Sequence, residues 1–337
     1  MNSAEGGRGR SREACGGPAS GPRGAGVGGA RFLLGVREWA RAAAAPTTVT
    51  AVVNVGDDLW LSGLRVCPDL DSVMYALAGV NDAERGWGRA GERERVAGEL
   101  AAYGTGWPWF TLGDLDLGTH IARTGWLHEG LPLSEATRRL AARWDLGVEL
   151  LPASDDPVET HVVTDAGELH FEEWWTRHRG TVPARRFVQH GVELARPGPG
   201  VLAAIAETDL VLLAPSNPVV SIGTILGIDG IREAVRATAA PVVGVSPIIG
   251  GAVVRGMADA CLEAIGVETS ARAVGAWYGA RSSAGLLDGW LVGEEDAEAV
   301  PALEAAGLRA ASVPLWMRDP STTARMVEAA VALARRD

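Results

Sequence analysis

Two adjacent carboxylates, Asp57 and Asp58, close the run Val53-Asn54-Val55-Gly56-Asp57-Asp58, directly behind the β-branched, apolar stretch Thr48–Asn54. Pro68-Asp69-Leu70-Asp71 follows, at the start of a helical pattern that contains Met74 and Tyr75. Four carboxylates within 15 residues, at two loop–helix junctions, are hard oxygen donors suited to Mg2+. A cation there would offset charge in a phosphoryl-transfer transition state. Asp69 or Asp71 can also serve simply as a helix cap, so the metal reading rests on the set.

Three further segments could hold an anion or a nucleotide. Gly24-Ala25-Gly26-Val27-Gly28-Gly29 is a glycine-rich turn running into a helical pattern, where bare backbone approaches a phosphate and free N–H groups face it. Pro215-Ser216-Asn217-Pro218 follows the apolar run Asp209–Ala214, and Ser246-Pro247-Ile248-Ile249-Gly250-Gly251 follows Pro241–Val245. One such loop is commonplace; two at the ends of adjacent parallel strands point to a nucleotide cleft. Leu112-Gly113-Asp114-Leu115-Asp116 before Thr119-His120, Ser154-Asp155-Asp156-Pro157, and Met317-Arg318-Asp319-Pro320 read more simply as helix starts and turns, and His120 as a structural histidine.

The elements that must position these loops alternate. The runs Thr48–Asn54, Asp209–Ala214 and Pro241–Val245 are buried-strand patterns, and helical patterns at Val201–Glu207 and Ile231–Ala240 lead into the latter two. Such alternation predicts βαβ crossovers: an α/β, Rossmann-like doubly wound parallel sheet with its ligand cleft at the strands' carboxyl ends. Between these parts, helical patterns at Leu117–His128 and Leu133–Trp144 precede short strands at Glu149–Leu151, Glu159–Thr164 and Glu168–Phe171. They predict an inserted α/β subdomain at about residues 115–195 within a Rossmann-like domain spanning 23–337, and the Gly-, Ser-, Arg- and Pro-rich residues 1–22 read as a disordered segment.

Composition excludes several classes. All 31 basic residues are arginine, so no Schiff-base lysine or P-loop lysine exists. A net charge of -11 disfavours general nucleic-acid binding. Cys15, Cys67 and Cys261 lie far apart with no zinc spacing, which suits a reduced, cytoplasmic setting. No apolar run reaches the ~18–20 residues of a membrane span. A nicotinamide fingerprint is unmet, since Asp57 lies 28 residues beyond Gly29 and not the ~20 expected of a ribose-binding acid.

In order and spacing, VNVGDDLWLSGLRVCPDLDSVMYALAG, GWG, LGDxD with TH, LPxSDDPV, APSNPVVSIG, VSPIIGG and WMRDP resemble the 2-phospho-L-lactate transferase family of coenzyme F-420 biosynthesis, from about Gly26 to the carboxyl terminus. The resemblance implies a Mg2+-assisted homodimeric enzyme. It would join a phosphoacid, delivered as a guanosine diphosphate conjugate, to the deazaflavin Fo, releasing GMP. It places Gly28, Gly29, Ser216, Asn217, Pro218, Ser246 and Pro247 on the nucleotide side. Asp57, Asp58 and Asp71 fall on the metal and deazaflavin side, with Asp57 and Asp71 as metal ligands and catalytic groups. Trp87 and Gly88 of GWG fall near the deazaflavin, where an indole can stack on the tricyclic ring. The chain departs from the family at Cys15–Arg23, where an apolar first strand is expected. It departs also at Thr111, which replaces a basic residue linked to deazaflavin binding, and at Leu115, which replaces the arginine of LGDRD. With no lysine, 31 arginines and 44 glycines the chain reads as the product of a very GC-rich genome, and the resemblance implies that actinobacterial members of the family transfer phosphoenolpyruvate rather than phospholactate. A related Rossmann-like family of non-catalytic nucleotide-sugar-binding regulators shares the glycine turn and acid pair, but not PDLDSVMY with GWG and SDDP.

Overall fold

The computed structural model describes residues 27–254 and 256–335. Residues 1–22, the expected disordered segment, and the first glycines of the turn lie outside this range. The amino-terminal part runs α1 (Val27–Ala42), β1 (Thr50–Val53), β2 (Leu59–Leu61), β3 (Leu64–Val66), α2 (Pro68–Ala78) and α3 (Arg95–Ala102). α2 starts at Pro68, whose missing N–H costs nothing in a first turn, and stops at Gly79 in the left-handed region. Its N-cap is Cys67, so neither Asp69 nor Asp71 is the capping residue.

The middle comprises α4 (Asp114–His128), α5 (Leu133–Ala141), β4 (Glu149–Pro152), β5 (Glu159–Thr164), β6 (Gly167–His170) and β7 (Arg186–His190). β5 and β6 form the expected hairpin, with Thr164 opposite Gly167. β7 joins its other edge, giving an antiparallel sheet in the order β6-β5-β7. β4 behaves differently: it pairs in parallel with β1. A π-helical turn at Glu173–Arg177 follows β6 and buries Trp174 against Phe171 and Phe187.

The carboxyl-terminal part runs α6 (Val201–Glu207), β8 (Val211–Leu213), α7 (Ile222–Gly227), α8 (Ile231–Ala237), β9 (Val242–Val245), β10 (Ile248–Ile249) and β11 (Ala252–Val253). It ends with α9 (Ala258–Ala264), α10 (Ala271–Tyr278), β12 (Gly289–Val292), α11 (Val300–Ala305), β13 (Arg309–Ser312) and α12 (Pro320–Ala334). β13-β12-β9-β8 form a wholly parallel sheet. β9 and β12 are buried on both faces, as the apolar sequences VVGV and GWLV require. α1 packs between α2 and α12, closing one side of the sheets. β1 and β8 do not pair with each other. Their edges instead line one cavity of about 1300 Å3, together with residues of α1 and α6.

Candidate active site

The loop that leaves β1 is buried throughout, from Val53 to Leu59. Asn54 shapes it: the side-chain oxygen accepts the Gly56 N–H at 3.0 Å, and Nδ2 donates to Asp69 Oδ2 at 3.0 Å. Gly56 admits no side chain, since a Cβ would lie 2.7 Å from Thr224 and 2.8 Å from Thr160. Its carbonyl accepts the Thr160 N–H of β5, which ties the loop to the antiparallel sheet. Asp57 and Asp58 are therefore held immobile and almost fully buried, at 1% and 0% exposure.

The two acids have opposite surroundings. Asp58 meets the buried Arg65 guanidinium at 3.2 Å. Burial pushes its carboxyl up to about 6, against the pull of Arg65. Among the described residues neither oxygen of Asp57 has a hydrogen-bond partner, and Asp69 Oδ1 and Glu172 Oε1 likewise have none. Burial, then Asp69, Glu172 and Asp58, holds the Asp57 carboxyl well above the usual range. Asp69 rises to about 6, chiefly through burial. Glu172 rises to about 8 through burial and then Asp69. Buried carboxylate oxygens that repel one another and lack donors are what a hard divalent cation relieves. Asp57 and Asp69 fit Mg2+ as the one or two protein carboxylates it ordinarily takes beside substrate phosphates.

Asp71 turns elsewhere. Both of its oxygens accept from the buried Arg123 guanidinium, Nη1 at 3.1 Å and Nη2 closer still. His120 stands between Asp71, at 3.6 Å, and Asp116, at 3.3 Å, and the Tyr75 hydroxyl donates to Asp116 at 2.6 Å. The network braces α4 against α2. Arg123 keeps its charge because Asp71 offsets the desolvation.

The loops after β8 and β9 and the first turn of α1 reach the same cavity. Asn217 Oδ1 accepts from the N–H groups of Val219 and Val220, at 2.9 and 3.2 Å, and its Nδ2 reaches Cys261 Sγ at 3.2 Å. The Val220 carbonyl in turn accepts from Asn54, which joins this loop to the acids. Gly28 and Gly29 form the first turn of α1. A Cβ at Gly28 would lie 3.3 Å from the Pro215 carbonyl, and one at Gly29 3.3 Å from Ser216 Oγ. Ser246 Oγ accepts the Ile248 N–H and fixes the turn after β9.

One cavity gathers most of the expected residues. Gly28, Gly29, Ser216, Asn217, Ser246 and Pro247 line it together with Asn54, Asp57 and Asp69. Phe171 and Trp175, stacked at 6.5 Å between ring centroids, also face it. Asp58, Asp71 and Pro218 lie behind this lining. Trp87 carries the Arg85 guanidinium over its ring at 5.5 Å, in a loop closed by the Gly88 carbonyl. Thr111 lines a separate pocket of about 240 Å3 with Trp107 and Phe110. Glu172, Arg65 and Arg123 are not among the site residues expected from the sequence, whereas Asp69 belongs to the set of four carboxylates read as Mg2+ donors, with helix capping as its alternative. A signal existed for Arg123: Asp116, His120 and Arg123 recur at i, i+4 and i+7 on one face of α4.

The first turn of α1, two strand-end loops and buried oxygen donors share one cavity in an α/β protein. The model of the family 2-phospho-L-lactate transferase CofD matches residues 23–317. The phosphoenolpyruvate transferase of Thermobifida fusca is 56% identical over 317 residues, covering 92% of this chain and 95% of the relative. That of Nocardia farcinica is 54% identical over 328 residues, covering 94% and 96%. The chain belongs to the 2-phospho-L-lactate transferase family and is a transferase of coenzyme F-420 biosynthesis. A solved structure of a UPF0052 family protein from Bacillus halodurans shares the fold, with a TM-score of 0.57 at 19% identity over 91% of this chain and 97% of that one. Among the described residues no helix is long and apolar enough to cross a membrane.

Proposed function

We propose that the protein transfers a phosphoenolpyruvyl group from a guanosine diphosphate-linked donor to the ribityl hydroxyl of Fo. The hydroxyl oxygen attacks the phosphorus that carries the enol ester. The bond from that phosphorus to the bridging oxygen breaks, and GMP leaves. The hydroxyl proton passes to a carboxylate of the acid cluster that is not engaged by the cation. Asp57 and Asp69 would hold Mg2+, which would offset negative charge on the diphosphate. The first turn of α1, Ser216 and Asn217 receive the phosphates. Asp71 acts through Arg123 as a positioning residue for α2.

The observation that carries this reading is the cavity that joins the first turn of α1 and both strand-end loops to buried carboxylate oxygens without hydrogen-bond partners among the described residues. The choice of donor is supported by relatives at 53–56% identity named phosphoenolpyruvate transferase. The test is incubation with Fo, Mg2+ and equal amounts of the phosphoenolpyruvyl and phospholactyl donors, read by mass spectrometry. The expected result is GMP together with mainly the unsaturated product. A predominance of the saturated product would reverse the donor assignment. Nucleotide binding with no Fo-dependent GMP would favour a regulatory binding protein instead.

A further inference from the structure

On the outer face of the antiparallel sheet, a second group of ligand-type side chains stands apart from the acid cluster. Along β5, Thr160, Val162 and Thr164 turn inward, while Glu159, His161 and Val163 turn outward. His161 lies opposite His170 on β6, and His190 on β7 lies opposite Glu159. Glu168, one diagonal step along β6, reaches back over this row. Its Oε1 meets His161 Nδ1 at 2.9 Å and also meets His190 Nε2. The two imidazoles stand edge to face with centroids 4.7 Å apart.

We propose that His161, Glu168 and His190 form a binding site for a borderline divalent transition-metal ion, Zn2+ or its neighbours Ni2+ and Co2+. One ligand atom from each residue lies within 4.8 Å of the other two. Small side-chain rotations bring such a trio to the ~2.0–2.2 Å bond lengths of a metal site. The donors sit on three hydrogen-bonded strands, so little ordering remains to be done on binding. His161 is 24% exposed, Glu168 41% and His190 52%, which leaves an open side for water in the remaining coordination positions. Two imidazole nitrogens and one carboxylate select Zn2+-like ions over Mg2+, which prefers oxygen alone. The site is thereby chemically distinct from the Asp57–Asp69 cluster and does not depend on the proposed function. A bound ion ties β6 to β7 across β5, the strand whose Thr160 N–H holds Gly56.

The test uses the full chain without an affinity tag, stripped with chelator and then titrated with Zn2+ against a chromophoric competitor in 10 mM Mg2+. The expected result is one ion per chain, a dissociation constant in the micromolar range or tighter, and a melting temperature raised by several degrees. His161→Ala and His190→Ala each weaken binding at least tenfold, as does Glu168→Gln, while His178→Ala, a histidine outside the trio, leaves it unchanged. Co2+ gives visible absorption bands that the same three variants lose. Circular dichroism identifies any variant that fails to fold, and the exposed His190 and Glu168 positions then carry the result. Absence of binding at 100 μM Zn2+, or binding that survives substitution within the trio, overturns the proposal.

Discussion

Asp69→Asn removes one charge from the buried cluster and nothing else of its shape. The asparagine keeps an oxygen to accept from Asn54 Nδ2, the one hydrogen bond that Asp69 makes through its side chain. The Asp69 carboxyl stands at about 6 in the folded protein against an ordinary value of 3.8. A carboxyl raised in this way supports folding fully below pH ~4 and loses that support as pH climbs through 6, because the folded state binds the extra proton. At pH 8 the loss amounts to about 3 kcal/mol. Against this, the charge lies in the first turn of α2, and its interaction with the helix dipole is worth ~0.5–1 kcal/mol. Burial wins. The metal-free variant is therefore expected to be more stable than the parent by ~2 kcal/mol at pH 8, about 3 °C in Tm for ~300 ordered residues, with no gain at pH 4. Mg2+ should act the other way. At ten times its dissociation constant it stabilises the parent by about 1.4 kcal/mol, and the variant by nothing, with activity lost. Scanning calorimetry at pH 4, 6 and 8, with chelator or with Mg2+, reads both effects. A variant less stable than its parent at pH 8 without metal would refute the electrostatic argument. A variant that keeps the full Mg2+ gain would refute the metal assignment.

Asp71→Asn should unfold more readily, by about 3 kcal/mol, because it strands the buried Arg123 guanidinium; chemical denaturation checks this, and an unchanged midpoint would contradict it. Gly29→Ala should raise helix stability by ~0.5–1 kcal/mol yet weaken donor binding several-fold, since the new methyl crowds Ser216 Oγ at the phosphate end of α1; paired Tm and KM measurements separate the two. Asn217→Asp keeps the acceptor for Val219 and Val220 but adds a charge beside the diphosphate. Donor KM should rise at least tenfold with Tm nearly constant, and an unaltered KM would move the phosphates away from this loop.

Much of this architecture was legible because buried parallel strands write themselves as apolar, β-branched runs: β1, β8 and β9 fall within the runs read from sequence, and the antiparallel β5–β6 hairpin was legible too, with β6 starting one residue earlier than its run. β13 was not legible, since Arg-Ala-Ala-Ser carries no strand signal without its neighbour β12. Nor does anything local in Glu-Leu-Leu-Pro announce that β4 pairs with β1 nearly 100 residues earlier. In the site, the strand-end position of Asp57 was readable from its neighbours. Which of Asp69 and Asp71 turns toward it was not. Residues two positions apart on a helix point ~200° apart, so Asp69 reaches Asn54 and Asp71 reaches Arg123, and the difference depends on where α4 packs. Glu172 joins the cluster from a distant element, hidden in sequence among the aromatics of Phe171–Trp175.

The unjoined edges of β1 and β8 bear on how the cavity walls move. The carbonyls of Val49 and Val53 accept from Glu149 and Ala153, and the Val211 N–H donates to Pro241. Alternation along a parallel ladder then turns the peptide groups of Val52 and Leu212 away from those ladders, toward the cavity they both line. An amide bonded within a sheet gives up its proton when the structure opens as a whole, whereas one on an unladdered edge exchanges through small local openings. Val243, in the middle of the β8-β9-β12 ladder, supplies the internal reference. Deuterium uptake at Val52 and Leu212 against that reference times the separate breathing of the two walls, and slowing of both together on nucleotide binding would mean that the walls have been clamped into one unit.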